Sequence, residues 1–268
     1  ARGVLSVASQ PLVMADRRGL LERLLVALSR PGVDGVLATA DVIDDLLLLG
    51  ALDGKLAIGS MNRGGLSGAV FELDDRFTGY SVAGLQAAGL DGGKMLLRLQ
   101  DDDPGTSETL EGCAMAVEGL AAAGLMTMVE PLAARRGEDG RVHLDPDLER
   151  MTRAISIASA LGSSSARTWL KVPAVPDMAR VMAASTLPAL VLGGDPSAGA
   201  DQVRASWREA LALPTVRGVA AGRALLYPTD GDVAAAVDAA VGLLAEAKAG
   251  AETDARVKAD GQAGAKGA

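Results

Sequence analysis

The stretch Arg167-Thr168-Trp169-Leu170-Lys171-Val172-Pro173 is a short run of strand-forming residues with one lysine set among apolar neighbours. It reads as a buried strand, and a buried ammonium is costly unless it is paired or needed for chemistry. Lysine is used sparingly here. Of 26 Lys and Arg residues only six are lysines, at positions 55, 94, 171, 248, 258 and 266, and the last three lie in a polar carboxyl-terminal stretch. A chain that otherwise writes its positive charge as arginine has at Lys171 a cation that can become neutral, which points to a Schiff-base nucleophile. The plainer alternatives are a lysine that snorkels out of the sheet or one that pairs with a buried carboxylate.

On either side of this strand, apolar runs and helical periodicities alternate. Strands are predicted at Gly35–Thr39, Lys55–Gly59, Lys94–Leu99, Met126–Glu130, Arg167–Val172, Ala189–Leu192 and Arg217–Ala221. Helices are predicted over 11–28, 41–49, 81–88, 107–123, 145–161, 176–184, 202–212 and 231–248. Seven strands separated by helices, at a spacing of about 30 residues, suit a doubly wound sheet or an eight-fold barrel. The count favours a (β/α)8 TIM barrel with its first strand missing, because the chain opens on Ala1-Arg2-Gly3 and a helix where a barrel places that strand. Amino-terminal truncation is therefore expected. Residues 1–248 form the barrel in this reading, and 249–268, rich in Ala, Gly, Lys, Asp and Glu, form a disordered tail.

Composition limits the function. Hydrophobic residues make up 49% and aromatic residues 2%, so a large core must be built from Ala, Val, Leu and Met. A net charge of −8 without clustered basic residues argues against nucleic acid, although a small anion can still be held locally. Cys113 has no partner for an internal disulfide, and no apolar run approaches the roughly 20 residues needed to span a membrane, so a cytoplasmic protein is expected. The single His143 reads as a loop residue, and no metal or other cofactor is expected.

Four groups of residues are candidates for chemistry. Counting the missing strand as first, Lys94 lies on strand four and Lys171 on strand six, so their ammonium groups can face each other in the barrel interior, where a neighbouring cation lowers the pKa of a nucleophilic lysine. Against this, Lys94 falls early in its strand, away from the face where barrel active sites form. Glu130 ends the run Met126-Thr127-Met128-Val129-Glu130 and is a candidate acid/base, or a salt-bridged rim residue. The turns Leu192-Gly193-Gly194-Asp195 and Ala221-Gly222-Arg223-Ala224 follow the last two strands, where barrels often bind phosphate, so Gly193, Gly194, Gly222 and Arg223 form a candidate phosphate site. Asn62 and Arg63, in the long loop Met61–Gly79, are candidates for the other end of a substrate, or the loop is only a lid.

Together the Trp169-Leu170-Lys171-Val172-Pro173 strand, the Gly193-Gly194 turn and Gly218-Val219-Ala220-Ala221-Gly222-Arg223 resemble the class I, Schiff-base aldolases of the deoxyribose-phosphate, archaeal fructose-bisphosphate and tagatose-bisphosphate kinds. Gly59-Ser60-Met61-Asn62-Arg63-Gly64-Gly65-Leu66, Asp91-Gly92-Gly93-Lys94-Met95-Leu96 and Leu225-Leu226-Tyr227-Pro228 look more closely like an actinobacterial group of aldolase-like barrels associated with inositol breakdown. The resemblance covers the chain to about Lys248. It implies Lys171 as imine lysine, Glu130 as acid/base and Lys94 as a second active-site cation. Aldolases of the fructose- and tagatose-bisphosphate kinds also use an aspartate at the end of strand one, which the resemblance puts upstream of Ala1.

The resulting expectation is a carbon–carbon lyase that splits a phosphorylated keto or deoxy sugar into dihydroxyacetone phosphate and an aldehyde, and that assembles as a homo-oligomer. If the inositol association holds, the substrate is 2-deoxy-5-keto-gluconate 6-phosphate. The alternatives are a Schiff-base keto-acid lyase or dehydratase, and a sugar-phosphate-binding barrel without turnover.

Overall fold

A computed structural model describes residues 7, 10, 12–62, 72–145, 147–193 and 199–265. Helices and strands alternate as α1 (Arg17–Ser29), β1 (Gly35–Ala38), α2 (Ala40–Leu48), β2 (Leu56–Ser60), α3 (Val82–Ala87), β3 (Gly92–Leu99), α4 (Gly105–Ala122), β4 (Met126–Arg136), β5 (Val142–Leu144), α5 (Leu148–Ser159), β6 (Thr168–Val172), α6 (Met178–Met182), β7 (Ala189–Leu192), α7 (Ala200–Leu211), β8 (Val216–Ala220), α8 (Arg223–Leu226) and α9 (Val233–Ala265). Side-chain caps start several of the helices: Asp16 accepts from the Gly19 amide, Ser81 from Gly84 and Asp147 from Arg150.

Seven parallel strands pair in the order β1-β2-β3-β4-β6-β7-β8, and β5 adds antiparallel to β4. The sheet curls into the expected barrel, open between β8 and β1, which do not pair among the described residues. The outer layer of helices closes over that opening. Arg23 of α1 donates to the Leu226 carbonyl at 2.9 Å and lies 4.7 Å above the Tyr227 ring, and Arg30 forms a two-pronged pair with Asp238 of α9 at 2.8 and 2.6 Å. Gly32, with a φ of 83°, lets the chain after α1 pass against Val241 of α9, where a Cβ would lie 2.6 Å from a methyl group.

Strand alternation defines two environments. Thr168, Leu170 and Val172 of β6 are buried toward the helices, whereas Trp169 and Lys171 on the lumen face are half-buried. Ala189 and Val191 against Leu190 and Leu192 in β7, and Met95, Leu97 and Leu99 against Leu96 and Arg98 in β3, repeat the pattern. The packed core thus lies between sheet and helices, built from Leu, Val, Ala and Met.

Three local expectations are corrected. β4 does not stop at Glu130 but continues through Pro131 to Arg136, with pairing to β3 as far as Ala133. A proline removes one donor, and the rest of the ladder carries on. His143 is not a loop residue but lies on β5, exposed, 3.1 Å from Asp139. The segment expected to be a disordered tail is helical to Ala265, because Ala, Glu, Lys, Arg and Gln favour helix even without large apolar residues.

Candidate active site

Glu130 is the centre of a buried cluster on the lumen face. Its Oε1 accepts from Lys171 Nζ at 2.7 Å, and its Oε2 is in close contact with Lys94 Nζ. The side chains of Lys94, Glu130 and Lys171 are 4%, 11% and 14% exposed, so Lys171 is the most open to a ligand. Register places them together. Leu96 of β3 pairs with Glu130, and Val129 of β4 pairs with Leu170, which puts Glu130 and Lys171 on one rung of the same face. Lys94, two residues earlier, reaches up to the same carboxylate.

The early position of Lys94 in β3 is not an obstacle. β2 ends at Ser60, the register partner of Lys94, while β3 and β4 run on together above it. Measured against its neighbour, Lys94 stands at the carboxyl-terminal rim. One rung below Glu130 and Lys171, level with Lys94, Met128 and Trp169 pair in register and supply an apolar floor.

Among the described residues, the charges of this cluster do not balance. Two ammonium groups share one carboxylate, and water is largely excluded. Burial pushes the Lys171 amine below its ordinary value; Glu130 opposes that shift and the Lys94 charge reinforces it. Burial alone would raise Glu130, but Lys94 and Lys171 together outweigh it and hold the carboxyl at about 2.

Next to this cluster is a second one that the sequence did not announce. Asp75, wholly buried, accepts from the Arg98 guanidinium at 2.6 Å and from the Arg98 backbone amide at 3.2 Å, and Arg98 also donates to the Glu72 carbonyl. The available signal was the spacing Lys94, Leu96, Arg98, which puts both cations on one strand face; nothing local links Asp75 to Arg98. Asn62 belongs to this cluster and not to an open ligand site. It is wholly buried, with its amide bonded to Leu96 and Asp75 backbone groups. Arg63 and Gly194 lie outside the described residues. Cys113 is buried beside Leu96, and burial, with the Asp75 charge, pushes its thiol up to about 12, which keeps it in the unreactive thiol form.

The two glycine turns meet. A Cβ on Gly193 would lie 3.0 Å from the Ala221 Cβ and 3.3 Å from the Gly222 amide nitrogen, so glycine is what allows this approach. Gly222 is exposed and precedes α8, and the half-buried Arg223 makes no side-chain ion pair among the described residues.

A family model described as Cgl0159-like matches residues 1–241. The chain belongs to the Cgl0159-like family. The crystal structure of Cgl0159 from Corynebacterium glutamicum (Brevibacterium flavum) is 51% identical, with a TM-score of 0.87 over 91% of this chain and 81% of that one. An archaeal fructose 1,6-bisphosphate aldolase has the same fold at 17% identity, with a TM-score of 0.66 over 86% of this chain and 84% of that one. So does an archaeal fructose-1,6-bisphosphate aldolase whose catalytic Lys is covalently bound to the carbinolamine intermediate of its substrate, at 18% identity and a TM-score of 0.65 over 86% and 84% of the two chains. No curated protein matches this Cgl0159-like chain. No helix among its described residues is long and apolar enough to cross a membrane.

Proposed function

We propose that this protein is a class I aldolase that cleaves a phosphorylated keto or deoxy sugar through an imine on Lys171. The observation that carries the reading is the Lys94–Glu130–Lys171 cluster, in which a buried carboxylate touches two lysines and one positive charge is left over. A structural salt bridge needs one lysine. The second, with the apolar floor, favours the neutral form of the more open amine, the form that attacks a carbonyl.

The same geometry supplies the proton traffic. Glu130 accepts directly from Lys171 Nζ, so it is placed to take the proton that the amine must lose. At the carbinolamine stage the Lys171 nitrogen is uncharged. One of the two cations that hold Glu130 down is then gone, so Glu130 keeps the proton it took from Lys171 and can deliver it to the carbinolamine hydroxyl, which leaves as water when the imine forms. Lys94 remains to stabilise charge that develops there.

The turns at Gly193, Gly222 and Arg223, with Gly194, are the proposed phosphate site. Gly193 follows by three residues Leu190, the register partner of Lys171, which is roughly 10 Å along the strand at about 3.3 Å per residue. A phosphorylated sugar spans such a distance. The archaeal aldolases support the reading by running Schiff-base chemistry on this fold. Within it, 2-deoxy-5-keto-gluconate 6-phosphate is the substrate that the sequence resemblance favours, giving dihydroxyacetone phosphate and malonate semialdehyde.

Incubation with dihydroxyacetone phosphate and borohydride tests the proposal. The intact protein is expected to gain the mass of one reduced adduct, with or without EDTA, and Lys171→Arg is expected to gain none, because a guanidinium keeps the charge without forming an imine. A native protein that stays unmodified contradicts the reading.

A further inference from the structure

Alternate residues of β3 turn their backbone groups toward β2. The last backbone bond between the two runs from the Met61 amide to the Lys94 carbonyl at 2.9 Å, and the chain then leaves the sheet. One rung higher, Leu96 presents its N–H and C=O to the place that β2 has left. A single side chain takes both: Asn62 Oδ1 accepts from the Leu96 amide at 2.6 Å, and Asn62 Nδ2 donates to the Leu96 carbonyl at 2.7 Å. On the next rung the Arg98 amide donates to Asp75 Oδ2 at 3.2 Å. Asn62 is tied to the Asp75 backbone, since Asn62 Nδ2 also donates to the Asp75 carbonyl at 2.9 Å, and the Asp75 amide in turn donates to Thr109 Oγ1 at 3.2 Å.

A carboxamide carries a donor and an acceptor in one plane, as a peptide does, so Asn62 can make the pair of bonds a strand residue would make. An ordinary edge would leave these groups to water. Here they are sealed, at the two rungs that face Glu130 and Leu132 across the β3–β4 ladder. We infer that Asn62 is a positioning residue: with Asp75 it continues the ladder past the end of β2 and so holds the stretch of β3 that presents Lys94 to Glu130. The inference rests on the proposed function only in that the positioned group is read as catalytic.

The test reads Lys171 without any substrate. Its rate of acetylation by a soluble amine-acylating ester is followed against pH by peptide mass spectrometry, beside borohydride trapping of dihydroxyacetone phosphate. In Asn62→Ala, Lys94 is freed from its place, Lys171 loses a neighbouring charge that lowers its pKa, and its labelling profile is expected to move to higher pH. Trapping is expected to slow by about 10- to 100-fold, the scale on which small misplacements act. In a Lys94→Met background the same substitution is expected to change neither, because the group it positions is gone. A lower melting temperature with an unchanged profile would reduce Asn62 to a structural residue and overturn the inference, as would an equal shift in the Lys94→Met background. Should Asn62→Ala not fold, Asn62→Ser, also neutral but able to keep one bond, is read by the same criteria. Normal labelling of a native protein that never traps would count against the imine reading alone.

Discussion

Two buried charge clusters stand side by side on β3, and they are built differently. Around Arg98 one guanidinium meets one carboxylate, and backbone groups take most of the remaining bonds. Around Glu130 one carboxylate meets two ammonium groups. Burial also leaves different marks on the two acids. It pushes Asp75 up, with Arg98 offsetting only part of the shift, whereas the two lysines hold Glu130 at about 2. Arginine stays charged under all conditions and suits a fixed joint; lysine can give up its proton when buried. The difference separates a joint that fastens the fold from the cluster proposed to react.

Breaking each cluster should separate the two roles. Arg98→Ala leaves the Asp75 carboxylate buried without its guanidinium partner, and about 3–5 kcal/mol of stability is expected to be lost in urea unfolding. Lys171→Met leaves Glu130 paired with Lys94, and stability is expected to hold or rise. Equal losses would erase the distinction. A smaller effect is expected at the far end of the site. Arg223→Ala should weaken a phosphorylated ligand by about 1.5–3 kcal/mol in calorimetry and leave its unphosphorylated analogue unchanged; equal losses would count against a phosphate site. The finest difference is in acid. Because Glu130 is depressed from 4.5 to about 2, its contribution to stability is complete above 4.5 and is lost as pH falls from there through 2. Glu130→Gln should remove that part of the acid dependence, read from unfolding midpoints between pH 5 and 2, and Arg98→Ala should leave it in place.

Much of the fold was legible because the strands of a parallel sheet covered by helices declare themselves as apolar runs, and all seven lie where the runs are. Lys171 and Glu130 were legible for the same reason, as charges standing out against such runs. The rest depended on contacts that sequence distance hides. Asn62 looked like a ligand residue because it is polar and sits just after a strand, yet its partner Leu96 is 34 positions away. Asp75 and Arg98 are separated by α3 and gave no pattern. Pro131 hid the upper half of β4, and the stagger that puts Lys94 level with the end of β2 appears only when the strands are paired.

Mapping the borohydride adduct against pH tests the central claim, that imbalance in the Glu130 cluster makes Lys171 the nucleophile. The adduct is predicted on the peptide that carries Lys171, with a rate that reaches half its maximum below the ordinary lysine value near 10.4 and moves upward in Lys94→Met. An adduct on Lys55 or Lys94, or a profile that Lys94→Met leaves unchanged, would contradict it.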